Sequence, residues 1–418
     1  MVNRQMLIRI RCFRLFGLFL LLMPFTIMSK ELVIGTTFST DATVHLIKVW
    51  EQQSNHFPIR TLNRTSMSLN QLLSTSKAGN VDLILSSSPM LFDSLQSKGE
   101  LADLPATIKQ HSQFVPEVLQ NTTAAFSISG YGILSNSAQF ESLNISIPGD
   151  WYDLVNPALQ DLVIISSPSR SETNHIMLEA LLQQQGWDKG WELISQISAN
   201  VGTISSRSFG VADKIQANLG AAGITIDNYA NLLTQNESLG GNRLVFHYFP
   251  NFPVSPTFIS VTAKSTHKAE ALTFIQFLLS EEGQRALSDS ETGKYPIQPL
   301  STDNPLAEKQ QFLFSQPQIN YDLLLKRQEL VKLLFEHAIT YRLNQLKTNW
   351  RLIYAKEQAV GRQLPEVRAI IASFPITEQQ SVDDDYLNNF NLSSELLKWQ
   401  EYFSQQQAEL VKTLEDLQ

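Results

Sequence analysis

The chain has 418 residues, 43% of them hydrophobic and 17% charged, with a formal net charge of −8 and a single cysteine. That length exceeds one ordinary core, so two or three domains are expected. The acidic balance argues against nucleic acid or an anionic membrane surface as partner, but not against a small anion, because local arginines and helix N-termini set the field inside a cleft.

Residues 1–29 read as a secretory signal peptide. Arg4, Arg9, Arg11 and Arg14 make a basic start, and residues 15–28 form a mostly apolar run too short to span a bilayer comfortably. Its removal takes the formal charge from −8 to −12 and takes away Cys12, so no disulfide or metal-binding thiol is expected in the mature chain. Cys12 does not come after the apolar run, which argues against a lipid anchor. No later run is long enough to cross a membrane, so a soluble protein of a bacterial envelope is expected.

The body alternates. Glu31-Leu32-Val33-Ile34-Gly35 reads as a strand that enters Thr36-Thr37-Phe38-Ser39-Thr40 and then a helix. Phe57 to Leu62 is a second strand, with Ser66 or Ser68 capping the helix after it. Val81-Asp82-Leu83-Ile84-Leu85 ends in Ser86-Ser87-Ser88-Pro89 before another helix. Phe126 to Leu134 alternates as a strand. Leu162-Val163-Ile164-Ile165 runs into Ser166-Ser167-Pro168-Ser169-Arg170-Ser171, with Pro168 at a first helical position. Val201 to Ile204 ends in Ser205-Ser206-Arg207-Ser208, and Gly223 to Ile226 ends at Asp227. Strands alternating with helices imply α/β lobes with parallel, doubly wound sheets, whose ligands lie beyond the carboxyl ends of the strands. Four hydroxyl-rich turns at such ends place backbone N–H groups, helix dipoles and two arginines where an anion could bind.

Several stretches carry a resemblance. Trp151-Tyr152-Asp153-Leu154, the turn Ser167 to Thr173, Gly186-Trp187 with Trp191, Ser255-Pro256-Thr257-Phe258 and the run Phe274 to Gln284 resemble the type 2 periplasmic solute-binding proteins, in their ferric-ion and phosphate-ester branch. The match covers roughly residues 30–300. Thr61 to Ser66, Ser87 to Leu91, Ser205 to Ile215, Asp227 to Leu233 and Thr292-Gly293-Lys294-Tyr295-Pro296 are similar to the phosphoglycerate-transport regulators within it, as are Leu325 to Gln328 and Arg342 to Lys347. The resemblance implies a two-lobed fold: residues 30–127 plus 255–300 as one lobe, 128–254 as the other, and 301–418 as a helical extension. It also implies a periplasmic protein that senses phosphoglycerates or phosphoenolpyruvate. Its partners would be a small phosphorylated carboxylate and the periplasmic domain of a membrane sensor kinase. No catalytic, cofactor or metal role is expected.

For such a ligand, Arg170 and Arg207 are candidate bidentate partners, and Thr37, Ser39, Ser88, Ser169, Ser171, Thr173 and Ser208 are candidate hydroxyl donors. His175 and Asp227 either contact a ligand hydroxyl or serve the fold, as a satisfied helix residue and a turn brace. Two other functions stay open. A ferric-ion binder of this branch uses adjacent tyrosines, whereas here Asn228 precedes Tyr229. A secreted hydrolase would need a nucleophile beside a base, and neither Gly-x-Ser-x-Gly nor His-Glu-x-x-His occurs. After a polar, Pro-containing linker over 301–318, apolar residues recur at helical spacing from Leu324 to Ile353 and from Leu396 to Leu417. These stripes predict a helical hairpin packed on one lobe, with a further face free to dock on the kinase; a chain ending near Asp303, if it folds, is expected still to bind ligand yet to fail to support inducer-dependent expression of the transporter.

Overall fold

The computed structural model describes residues 31–417 except 39, 55, 76–80, 111, 235–242 and 289–291. The expected signal peptide and Ser39 lie outside the described residues.

The first lobe begins with β1 (Leu32–Thr36), whose five residues are all buried, as in a strand covered on both faces. It is followed by α1 (Thr40–Glu51), β2 (Ile59–Asn63), α2 (Ser66–Leu73), β3 (Leu83–Ser86) and α3 (Pro89–Ser97). The cap of α2 is Thr65, not a serine inside the helix: its side chain accepts from Ser68 N–H. What reads as one strand near residue 130 is two strands in different sheets, β4 (Ala124–Ser129) and β5 (Tyr131–Asn136). Gly130 joins them because a Cβ there would lie 2.5 Å from Leu313 Cδ2 and 2.6 Å from the Tyr248 ring.

The second lobe continues with α4 (Ser137–Leu143), β6 (Val163–Ser166), α5 (Glu172–Gln185), α6 (Trp187–Ser198), β7 (Val201–Ser205), α7 (Ser208–Gln216), β8 (Ala222–Ile226), α8 (Asp227–Thr234) and β9 (Leu244–Tyr248). Pro168 does not start α5; residues 168–170 stay in the turn, and Ser171 is the N-cap. The chain returns to the first lobe through β10 (Ser255–Val261), α9 (Lys268–Leu279), α10 (Glu281–Leu287) and β11 (Tyr295–Pro296).

Both sheets are mixed rather than parallel. The first has the order β11-β4-β10-β3-β1-β2, and the second β7-β6-β8-β5-β9. β10 runs antiparallel to β3 and β4, and β5 antiparallel to β8 and β9, because the strands that cross between lobes reverse direction on arrival.

The stretch read as a linker contains α11 (Ala307–Phe314), whose Leu313 is buried in the first lobe's core. Its strongest apolar signals are close neighbours, Phe312, Leu313 and Phe314, too few to show a period. The extension comes next: α12 (Tyr321–Phe335), a π-helical turn (Glu336–Thr340), α13 (Leu343–Val360), α14 (Pro365–Ala372) and α15 (Leu392–Asp416). Gly361 at φ 69° closes α13 and Pro365 opens α14, as residue type dictates.

The extension is part of the second lobe's core. Leu324, Val331, Leu334, Trp350 and Trp399 share one buried cluster with Leu178, Leu181, Trp187 and Trp191. Trp187 Nε1 donates to Ile376 O (2.8 Å), and Trp350 Nε1 to Ser195 Oγ (3.2 Å). Arg327 forks onto Glu179 at 2.8–3.1 Å, with the side chains 3% and 0% exposed, and its guanidinium lies 4.8 Å from the Trp187 ring. A chain ending near Asp303 therefore lacks one wall of this core.

Candidate functional site

The strand ends of the two sheets face each other, and the lobes touch across the gap. Met90 at the start of α3 packs in the second lobe's cluster. The Glu172 carboxyl, at the start of α5, faces the hydroxyls of Ser88 and Ser66. Burial pushes the Glu172 pKa up more than these hydroxyls and Lys332 pull it down.

On the second lobe, two helix N-termini converge. Ser171 precedes α5 and Ser208 opens α7, and neither α5 nor α7 has a side-chain cap hydrogen bond. Asn174 Nδ2 donates to Ser171 Oγ (2.8 Å) and Ser208 Oγ (2.6 Å), and the two hydroxyls lie 3.2 Å apart. Among the described residues, Asn174 Oδ1 and Ser166 Oγ are buried without a hydrogen-bond partner. Two positive helix ends around hydroxyl and amide groups suit an oxyanion. Arg207 is half-buried as the N-cap of α7 and Thr173 half-buried on the first turn of α5, whereas Ser169 and Arg170 are exposed. Ser169 Oγ donates to Lys332 O of α12 at 3.4 Å, and Ser167 donates to the Glu336 carboxylate of the π turn, so the extension sits directly against this turn. His175 is fully buried, and among the described residues neither ring nitrogen has a hydrogen-bond partner. Burial, then Lys332, pushes its pKa down to about 3 and keeps the ring neutral.

On the first lobe, Thr37 and Ser86 hydroxyls lie 2.8 Å apart, and Ser88 Oγ caps α3 by accepting from Leu91 N–H at 3.1 Å. Ser88 is thus partly used by its own helix.

A third polar group lies at the crossing. Asp227 Oδ2 accepts from Gly130 N–H (2.7 Å) and from Tyr248 OH (3.0 Å), while Oδ1 has no partner. Asp227 does brace the crossing, as one of its two readings held. Burial pushes its pKa up to about 7, against the pull of Gly130, Tyr248 and Lys294. Tyr248 OH and Tyr295 OH lie 3.2 Å apart, and Asn231 Nδ2 reaches Gly293 O (3.2 Å) and Tyr295 OH (3.4 Å). Among the described residues Ser127 Oγ is buried here without a partner, while the Ser129 hydroxyl faces Asp227 and the Ser255 hydroxyl faces Tyr131 OH. Orphaned buried polar atoms in one region are what a site for a polar ligand or waters requires.

Of the residues expected from sequence, Ser171 and Ser208 are brought together, Arg207 and Thr173 flank them, and Thr37 and Ser88 stand on the opposing lobe. Asn174, Tyr248, Lys294, Tyr295 and Asn231 were not expected. Lys294 and Tyr295 belong to the Thr292 to Pro296 motif, where a glycine beside a lysine was the available signal.

Among the described residues, no helix is long and apolar enough to cross a membrane. Residues 78–320 match the family of bacterial extracellular solute-binding proteins. The phosphoglycerate transport regulatory protein PgtC of Salmonella typhimurium is 48% identical over 393 residues, covering 93% of this chain and 98% of that protein, and its Salmonella typhi counterpart gives the same figures. Among solved structures, the periplasmic binding protein AfuA of Actinobacillus pleuropneumoniae, with exogenous fructose-6-phosphate bound, matches with a TM-score of 0.61 at 19% identity, over 77% of this chain and 98% of AfuA. Iron-bound HitA of Pseudomonas aeruginosa matches with a TM-score of 0.61 at 17% identity, over 72% of this chain and 98% of HitA. These two share the two-lobed fold. With the family match spanning more than half of its residues and a relative aligned over nearly its whole length, the chain belongs to the bacterial extracellular solute-binding proteins.

Proposed function

We propose that this chain is a periplasmic sensor that closes on a small phosphorylated carboxylate of the phosphoglycerate or phosphoenolpyruvate class and reports it to a membrane sensor kinase, inducing phosphoglycerate transport. In this reading residues 1–29 direct export and are removed, and the chain binds without catalysing a reaction. The observation that carries it is the reach of the similarity. PgtC aligns over 93% of the chain, whereas AfuA and HitA align over 77% and 72% and are themselves 98% covered. The part beyond an ordinary two-lobed binder is therefore shared with a regulator.

The phosphate is assigned to Ser171, Asn174 and Ser208 at the two helix N-termini, with Arg207 beside them and Arg170 at the exposed edge. The glycerate part faces Thr37, Ser88 and the Asp227 region. 3-Phosphoglycerate at about a hundred times its Kd should stabilise the protein by about 2.7 kcal/mol, read as a rise in Tm. Arg207→Ala and Arg170→Ala should lose much of that rise. No shift at millimolar 3-phosphoglycerate overturns the reading; an undiminished shift in both variants overturns the arginine assignment alone.

A further inference from the structure

Lys294 is a buried cation that the phosphate and glycerate assignments leave unused. It is 6% exposed. Its ammonium donates to Thr257 Oγ1 at 3.1 Å and stands 4.7 Å from the centroid of the Phe38 ring, just beyond the Thr36-Thr37 turn at the end of β1. An ammonium carries three donors, and one hydroxyl with one ring face does not replace its hydration. Among the described residues no carboxylate forms an ion pair with it. Asp227 acts on it only at longer range, and burial outweighs that pull, bringing the Lys294 pKa down to about 8.

The surroundings are prepared for an acceptor. Thr257 pairs with Ser127 and Ser255 with Ser129 across β10 and β4. Alternation along each strand puts these four side chains on one face. Among the described residues the Ser127 hydroxyl has no partner there, while the Ser129 hydroxyl faces Asp227 and the Ser255 hydroxyl faces Tyr131 OH. The loop carrying Lys294 is tied to the other lobe on both sides. Gly293 O accepts from Asn231, and Tyr295 OH accepts from Asn231 and lies 3.2 Å from Tyr248 OH. Gly293 has φ 62°, and a Cβ there would lie 2.1 Å from Asn228 O, so the loop is seated on α8 with no room for a side chain. Among the described residues, this buried positive charge is therefore undercompensated, and one unpartnered hydroxyl, Ser127, pairs across the strands with the Thr257 that Lys294 touches.

We infer that Lys294 binds an oxyanion of the ligand, carboxylate or phosphate, and is a further binding residue of this site, an assignment that rests on the reading of the protein as a phosphoglycerate binder. Because its loop is anchored on the second lobe, occupancy of Lys294 also favours the closed arrangement.

The test is calorimetric titration of the full chain and of Lys294→Met with 3-phosphoglycerate, with glycerol 3-phosphate (phosphate only) and with D-glycerate (carboxylate only), alongside the Tm of both proteins without ligand. Loss of a buried charge-assisted contact should weaken 3-phosphoglycerate about thirtyfold or more. The ligand-free Tm should hold or rise, because an undercompensated charge has been replaced by an apolar chain of similar size. Lys294→Gln, which keeps a polar end, should weaken binding likewise. Loss confined to the carboxylate-bearing ligands assigns Lys294 to the carboxylate, and an equal loss with glycerol 3-phosphate assigns it to the phosphate. Affinity within about threefold of the original in either folded variant overturns the Lys294 assignment and leaves the functional reading standing. If the unaltered chain binds none of the three probes, the functional reading falls, and the assignment with it.

Discussion

Arg327→Met removes the fork that joins the extension to the second lobe. Arg327 gives Glu179 three hydrogen bonds of 2.8–3.1 Å and Ser381 Oγ a fourth at 3.2 Å. With Arg327 gone, Gln183 Nε2 at 2.8 Å is the donor left to a carboxyl whose side chain has no exposed surface. Breaking a buried pair from one side costs about 3–5 kcal/mol, since the remaining charge is uncompensated. The loss depends on pH. Burial already pushes the Glu179 pKa up, and Arg327 is the main opposing influence, so the variant's folded pKa rises further. A folded pKa above the unfolded one means that the native state holds more protons, so stability is fullest below the unfolded carboxyl value and falls as pH rises toward the folded value. The deficit of Arg327→Met should therefore be larger at about pH 8 than at about pH 5. Urea unfolding followed by tryptophan fluorescence at both pH values measures it, and Glu179→Gln combined with Arg327→Met should recover part of it. A single variant within about 1 kcal/mol of the original at both pH values, or a deficit that shrinks as pH rises, refutes the reasoning.

Asp227 has a folded pKa of about 7, above the unfolded aspartate value, so its contribution is complete in acid and is lost as pH rises toward about 7. Asp227→Asn should flatten that part of the stability–pH curve, and an unchanged slope in denaturant unfolding between about pH 4 and 7 refutes it. Gly293→Ala should lower Tm, with a cost of at least about 1–3 kcal/mol, because the left-handed φ and the 2.1 Å approach to Asn228 O both oppose a side chain. A Tm equal to the original would show that the loop can lift from α8.

Much of the two-lobed body was legible because its strands are short β-branched runs ending in hydroxyl clusters, and its helices carry apolar stripes. Leu32 to Thr36 and Val163 to Ser166 are of this kind. The crossing at Gly130 was not, since alternation simply continues from β4 into β5 and no local signal marks a change of sheet. The Ser171–Ser208 pairing was within reach because both residues lie on turns of one pattern. Lys294 was not, because its burial is set by Phe38 and Thr257, each distant in sequence. The union of the extension with the second lobe was hidden for the same reason. A helical stripe states that a face is buried but not what buries it.

The order of the first sheet has a consequence for how the chain is assembled. Its central strand, β10, is the second last to be synthesised, and it separates β3 from β4. Until it emerges, after the whole of residues 131–254, β3 and β4 each present an unpaired edge, and such edges template pairing with other chains. The long separation also makes closure of this sheet slow relative to the local helices. The first-made half of the protein is thus the part least able to finish on its own, and a chain interrupted before residue 255 leaves one side of β3 and both sides of β4 without their sheet partners.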